Sequence, residues 1–215
     1  MPIHILDHKL WFPPVSEANE DGLLAIGGDL TVDRVLLAYK KGIFPWYDGS
    51  MPLWWSPNPR FVLFPEELKI SKSMNVLLKK NAFRFTINTC FKEVMLSCKN
   101  IERKDQDGTW INDDIIDTYV ELHYAGYAHS AEVWDNNELI GGLYGIWIGN
   151  IFFGESMFST KSNASKYAFV HWVQYLKQKG VVLIDCQVYT EHLESLGAVM
   201  IDRNMFLKII GNESL

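Results

Sequence analysis

Three apolar-rich stretches in a row, joined by two short turn signals, constrain this chain more than any other feature. Residues 129–134 alternate polar and apolar side chains and end at Asp135-Asn136-Asn137. A longer stretch, 139–148, follows, and Gly149-Asn150 turns it into 151–158. Alternation with a period of two, broken by Asn- and Gly-rich turns, predicts a meander of sequential antiparallel strands. Gly141, Gly142 and Gly145 fall inside the middle strand, and Gly154 sits beside Glu155 in the third. A glycine inside a strand marks a bulge or a close backbone approach. The third strand should therefore be bent and splayed near a ligand.

Around the meander the spacing predicts short strands at 61–64 and 83–88, and several helices. Thr31 caps a short helix carrying Val32, Val35, Leu36 and Tyr39, which Gly42 ends; Ser71 caps another through Met74, Leu77 and Leu78. Thr89 caps a helix with Phe91, Val94, Met95 and Cys98 on one face. Asn112 caps one that runs to about Gly126, after a polar loop at 100–107. Ser162 or Asn163 caps one bearing Ala168, Phe169, Trp172, Val173 and Leu176. A helix near 191–196 and a terminal strand close the chain. Helices packed on a mostly antiparallel sheet define an α+β fold, and 215 residues at 48% hydrophobic content suffice for its core.

Two segments fit this outline less simply. Residues 42–60 hold Trp46, Trp54 and Trp55 among Pro45, Pro52, Pro57 and Pro59. Such a block excludes a regular helix or a central strand and reads as a rigid aromatic-walled loop, either a small satellite core or a wall facing a ligand. The second segment, 180–187, is a buried strand that ends in Asp185-Cys186-Gln187. Residues two apart share a strand face, so Asp185 and Gln187 point one way and Ile184 and Cys186 the other. A carboxylate and an amide on one buried face are either a satisfied polar pair or part of a site. Cys186 reads as a buried structural thiol.

Cys90, Cys98 and Cys186 fit no metal or disulfide spacing, and the six histidines make no metalloprotease pattern. The cysteine usage and the lack of a signal-peptide pattern lead to the expectation of a cytoplasmic protein. No apolar run approaches the ~20 residues that a membrane span needs. A net charge of −6 argues against non-specific coating of nucleic acid. Yet Lys69, Lys72, Lys79, Lys80, Arg84 and Lys92 follow one another without an intervening acid. That run is either a solvated helix face or a phosphate-contacting patch. Glu155, Asp185 and Gln187, flanked by aromatic segments, suit a reaction on an already activated acyl group. Such a reaction needs an oriented amine, a proton acceptor and oxyanion stabilisation.

Ten segments carry a resemblance to a known family. They are GLLAIGGDL at 22–30, GIFPW at 42–46, LWWSPNPR at 53–60, GTWI at 108–111, AHSAEVW at 128–134, IGGLYG at 140–145, GESMFS at 154–159, NASK at 163–166, LIDCQ at 183–187 and SLGA at 195–198. In this order and spacing the chain resembles the leucyl/phenylalanyl-tRNA–protein transferases. The resemblance implies a small N-terminal domain, 1–58, on a GNAT-like acyltransferase domain, 59–215, with no metal or nucleotide cofactor. It implies transfer of Leu or Phe, with Met as a further candidate, from aminoacyl-tRNA to proteins beginning with Lys or Arg, which marks them for N-degron proteolysis. Trp46 and Trp110 match aromatics that hold the terminal adenosine. Leu143, Phe152, Glu155, Trp172, Leu176 and Ile184 match positions around the amino-acid pocket, and Asp185 and Gln187 the pair acting in peptide-bond formation. Lys69, Lys72, Lys79, Lys80 and Arg84 would meet the tRNA backbone. Family members often carry Phe where this chain has Trp172 and Leu176. The rival readings are an acetyl-CoA-dependent acetyltransferase, disfavoured by a loop at 159–165 without the usual glycines, and a non-catalytic aminoacyl-tRNA-binding module.

Overall fold

A computed structural model of the chain describes residues 3–101 and 109–212. The loop expected at 100–107 falls for the most part outside the described residues, as does Gly108 of the GTWI segment.

The N-terminal part builds a sheet of four short strands: β1 (His4–Leu6), β2 (Leu23–Gly27), β3 (Phe44–Pro45) and β4 (Leu53–Trp55), in the order β1-β2-β4-β3. The block at 42–60 is thus not all loop, and β4 is an inner strand of this sheet. The prolines permit it by their placement. Pro45 lies on the edge strand β3, where a missing N–H costs least, and Pro52, Pro57 and Pro59 flank β4. Helix α1 (Val32–Lys40) follows Thr31 as expected, although the Thr31 hydroxyl donates to Asp29 Oδ1 at 2.7 Å and does not cap the helix.

The remaining strands form one mixed sheet. They are β5 (Arg60–Leu63), β6 (Arg84–Ile87), β7 (Ala128–Asp135), β8 (Glu138–Ile148), β9 (Ile151–Ser159), β10 (Leu183–Gln187) and β11 (Val199–Ile201), in the order β11-β5-β10-β9-β8-β7-β6. The meander β7-β8-β9 is antiparallel, as its turns dictate. β10 pairs with β9 in parallel, which requires a crossover; helix α5 (Ala164–Gln178) supplies it. α5 and α2 (Lys72–Lys79) cover one face of the sheet. Helices α3 (Phe91–Asn100) and α4 (Asp113–Tyr124) cover the other and share a continuous core with the N-terminal sheet. Side-chain caps form where expected at Ser71, which accepts from the Met74 N–H, and at Asn112, which accepts from the Ile115 N–H.

Three local expectations change. α3 takes Cys90, not Thr89, as its cap residue, and the Glu132 carboxylate accepts the Thr89 N–H at 3.2 Å. α5 begins after Asn163 in a left-handed conformation without a side-chain cap. The described residues do not finish on a strand. After the short helix α6 (Glu191–Glu194) and β11, helix α7 (Arg203–Asn212) packs Phe206 and Ile210 into the core at helical spacing. The α+β class holds, with a small N-terminal sheet ahead of the larger one.

Candidate active site

The site lies where β9 and β10 part. Their parallel pairing runs only from Leu183↔Ile151 to Asp185↔Phe153. Beyond it each strand carries an extra residue against its other neighbour. Gly145 faces Gly154 and Tyr144 faces Ser156, so Glu155 is the inserted residue on β9. Asp185 faces Val62 and Gln187 faces Phe61, so Cys186 is the inserted residue on β10. Bulges bend and twist a strand, and two of them on adjacent strands open the sheet into a wedge. Gln187 leaves β10 with φ of 64°, in the left-handed region. The bend that the glycines of 141–154 announce is present, and Gly145 shows why glycine is needed. A Cβ there would lie 2.1 Å from the Phe153 carbonyl oxygen and 2.5 Å from the Phe152 ring.

A cleft of about 450 Å³ passes through the opening. Trp46, Trp110, Leu143, Phe152, Glu155, Ile184 and Gln187, all expected from the sequence, line it together. Phe44, Met157 and Phe169 add apolar wall, and Thr190 and His192 polar rim. The aromatic block at 42–60 divides its labour. Trp54 is fully buried against Phe12 and donates its N–H to the Gly27 carbonyl at 2.9 Å. Trp46 is 40% exposed at the cleft, and its carbonyl accepts the Trp55 indole N–H at 2.7 Å. Trp54 thus belongs to a buried core, whereas Trp46 forms part of the cleft wall.

Trp172 and Leu176 do not line the cleft. Trp172 is fully buried edge-on behind Phe152, with ring centroids 5.3 Å apart, and Leu176 is buried on the same helix. They back the pocket wall. Cys186 does reach the cleft, but burial pushes its thiol far above the usual range, which suits a bystander.

Asp185 and Gln187 meet differently from the pattern expected of a strand face. Asp185 is fully buried and lies outside the cleft lining. Arg60, likewise buried, donates Nε to its Oδ1 at 2.8 Å and Nη2 to its Oδ2 at 2.6 Å. The guanidinium lies between the rings of Phe44 and Phe206, each 4.7 Å away, and donates Nη1 to the Gly42 carbonyl at 3.3 Å. Asp185 Oδ1 also accepts the Gln187 backbone N–H at 2.9 Å. A doubly paired carboxylate of this kind holds a backbone; it is poorly placed to polarise the Gln187 side chain or relay a proton. The Gln187 amide instead donates Nε2 to Glu155 Oε1 at 3.1 Å.

Glu155 is the carboxylate at the cleft floor. The Tyr39 hydroxyl donates to its Oε1 at 2.6 Å and the Tyr119 hydroxyl to its Oε2 at 3.2 Å. The two hydroxyls lie 2.6 Å from each other. Burial raises the Glu155 carboxyl to about 7, against the opposing pull of the tyrosine hydrogen bonds. Arg60, Tyr39 and Tyr119, which hold Asp185 and Glu155, are the neighbours of the site that the sequence does not single out. Tyr39 and Tyr119 follow Val35 and Ile115 by one helical turn and so read as core, which they are apart from their hydroxyls.

Lys69, Lys72, Lys79, Lys80 and Arg84 are all exposed on and around α2. The Arg84 guanidinium rests over the Trp134 ring at 4.7 Å. Among the described residues no group of His, Cys, Asp and Glu could hold a metal ion, and no helix is long and apolar enough to cross a membrane.

Comparison with known proteins places these features in a family. A family model described as leucyl/phenylalanyl-tRNA protein transferase matches residues 62–211, and one for the N-terminal domain of the same proteins matches residues 28–58. The chain is 55% identical to the leucyl/phenylalanyl-tRNA–protein transferase of Flavobacterium johnsoniae over 97% of this chain and 99% of that protein. It is 56% identical to that of Christiangramia forsetii over 93% of this chain and 95% of that one. Among solved structures, a GCN5-related N-acetyltransferase-like protein from Streptococcus suis aligns with a TM-score of 0.38 at 10% identity, over 67% of this chain and 60% of the other.

Proposed function

The chain belongs to the leucyl/phenylalanyl-tRNA–protein transferase family, aminoacyltransferases that carry an aminoacyl group from tRNA to protein, and from that premise we propose how this member works. It takes Leu or Phe, with Met as a further donor, from charged tRNA to the N-terminal α-amine of proteins beginning with Lys or Arg. The product carries a new peptide bond and an N-terminal residue that marks it for N-degron proteolysis, a cytoplasmic role. Residues 1–58 form the small N-terminal unit, and residues 59–215 form the GNAT-like transfer unit.

One observation carries this reading: an apolar cleft of about 450 Å³ opens between β9 and β10 with an amide and a single carboxylate at its floor. Leu143, Phe152 and Ile184 give an uncharged aliphatic or aromatic side chain an apolar seat, backed by Trp172 and Leu176. Trp46 and Trp110 flank the cleft as stacking faces for a terminal nucleoside. An aminoacyl ester is already activated. The acceptor α-amine, titrating near ~7.7–8.0, is partly neutral at cellular pH. Positioning then supplies much of the rate. Gln187 orients the reacting groups through its side-chain amide, and Asp185, clamped by Arg60, fixes the Gln187 backbone. The exposed basic side chains Lys69, Lys72, Lys79, Lys80 and Arg84 take the tRNA backbone.

The experiment is transfer of radiolabelled Leu, Phe and Met from charged tRNA to a protein beginning with Arg, with the same protein beginning with Glu as comparison. Labelled Arg-protein and unlabelled Glu-protein are expected, and Gln187→Ala should cut turnover far more than donor binding. Absence of transfer with all three donors, or label appearing only from acetyl-CoA, would overturn the reading.

A further inference from the structure

The interior of this site holds a three-membered hydrogen-bonded ring. Its corners are the Glu155 carboxyl and the hydroxyls of Tyr39, on α1, and Tyr119, on α4. Its edges are 2.6 Å from Tyr39 to Glu155 Oε1, 2.6 Å from Tyr39 to Tyr119, and 3.2 Å from Tyr119 to Glu155 Oε2. Both tyrosines are fully buried, and their rings pack against Phe153 and Tyr144 respectively. Only Glu155 reaches the cleft.

Counting protons shows what such a ring can do. Each O···O contact takes one proton, and each tyrosine brings one. With Glu155 ionised, two protons serve three contacts. A proton arriving on Glu155 gives every contact its own, with all three hydroxyls donating in the same sense around the ring. The buried tyrosines are thus satisfied in both states of the carboxyl and turn only their hydroxyl hydrogens between them. A carboxylate accepting from a rigid pair of donors, open to the cleft on its remaining side, is built to receive a proton and hand it back.

We propose that Glu155 is the proton acceptor of the transfer reaction and that Tyr39 and Tyr119 are its positioning residues. This assignment rests on the aminoacyl-transfer reading above. The neutral acceptor amine attacks the ester carbonyl carbon, forming the C–N bond while the carbonyl π pair moves to oxygen. The nitrogen, now bearing an extra proton, releases it to the Glu155 carboxylate. The carbonyl re-forms, the bond from carbon to the ribose oxygen breaks, and the protonated Glu155 returns its proton to that leaving oxygen. Products are an amide and a free ribose hydroxyl, with Glu155 ionised as at the start. Gln187, donating to Oε1, keeps the carboxylate turned toward the reacting centre. Among the other ionisable groups, Asp185 on β10 is matched by Arg60, Tyr144 on β8 faces Tyr119, and Cys186 and His192 border the cleft.

The test measures kcat and the donor KM against pH for the unchanged enzyme, Glu155→Gln, Tyr39→Phe, Tyr119→Phe and the double Phe variant, each checked for folding by thermal melting. Glu155→Gln should lose about 10²–10⁴-fold in kcat and keep only the pH limb of the acceptor amine. The double Phe variant should lose about tenfold in kcat with little change in donor KM. Its Glu155-dependent limb should also move to higher pH, since two donors to the carboxylate are gone. Infrared difference spectra give a readout independent of turnover. The protonated carboxyl band should fade as pH rises, be absent in Glu155→Gln, and titrate later in the Phe variants. If the unchanged enzyme transfers no amino acid, the functional reading fails. If it does, but the Phe variants keep its pH profile and carboxyl titration, or Glu155→Gln keeps its kcat, the ring has no such role.

Discussion

In the mechanism proposed above, Arg60 and Asp185 act on a reaction they do not touch, through the backbone of Gln187. The pair is fully buried, and the guanidinium is also held between two phenyl rings and a backbone carbonyl. Taking two charges out of water is repaid only while both remain. Asp185→Asn leaves Arg60 charged and unmatched in the interior, so stability should fall by about 3–5 kcal/mol, read from the urea unfolding midpoint. Arg60→Met with Asp185→Leu removes both charges and should restore much of that stability. Turnover should nevertheless stay low in the double variant, because the Gln187 N–H has lost the carboxylate that fixes it. Recovery of turnover along with stability would mean that the pair serves the fold alone.

At the scale of elements, the wedge between β9 and β10 depends on where its glycines stand. Gly145 and Gly154 face each other across β8 and β9, yet their surroundings differ. A Cβ on Gly145 would collide with the Phe153 carbonyl and with Phe152, the wall of the cleft, whereas one on Gly154 would meet its nearest neighbour at 3.6 Å. Gly145→Ala should therefore cost about 1–3 kcal/mol and weaken donor binding, while Gly154→Ala should change both little. Equal effects in melting and donor titration would refute this account of the bulge. The glycines, the meander turns and the caps at Ser71 and Asn112 are legible in the sequence because each is a local requirement of backbone geometry. The aromatic and apolar lining is legible through the motifs that carry it. The clamp of Arg60 on Asp185 and the ring around Glu155 are not. Arg60 stands 125 residues from Asp185, and Tyr39 stands 116 residues from Glu155. Nothing in a buried tyrosine's helical spacing tells which hydroxyl it will find. The same holds for α7, whose Phe206 is needed as the second ring against Arg60.

The whole molecule sets a basic face on an acidic body. The net charge is −6, which favours the approach of the Lys- or Arg-led acceptors proposed above but repels a tRNA. The run from Lys69 to Lys92 without an acid opposes that repulsion locally, and the structure leaves Lys72, Lys79 and Lys80 exposed on and just after α2, with Lys69 and Arg84 exposed beside them. α2 packs on α5, the crossover helix between the two strands that part to form the cleft. If these side chains neutralise phosphates, affinity for charged tRNA falls linearly with the logarithm of salt concentration. Each contact removed should then shallow that slope by about 0.7–0.9. Lys72→Ala, Lys79→Ala and Lys80→Ala, combined stepwise, should weaken donor binding and flatten the slope in steps. The kcat at saturating donor should stay near its starting value, because no residue of the cleft has changed. Binding curves at four or five salt concentrations decide the matter. A slope that stays steep through all three substitutions would place the tRNA on another face.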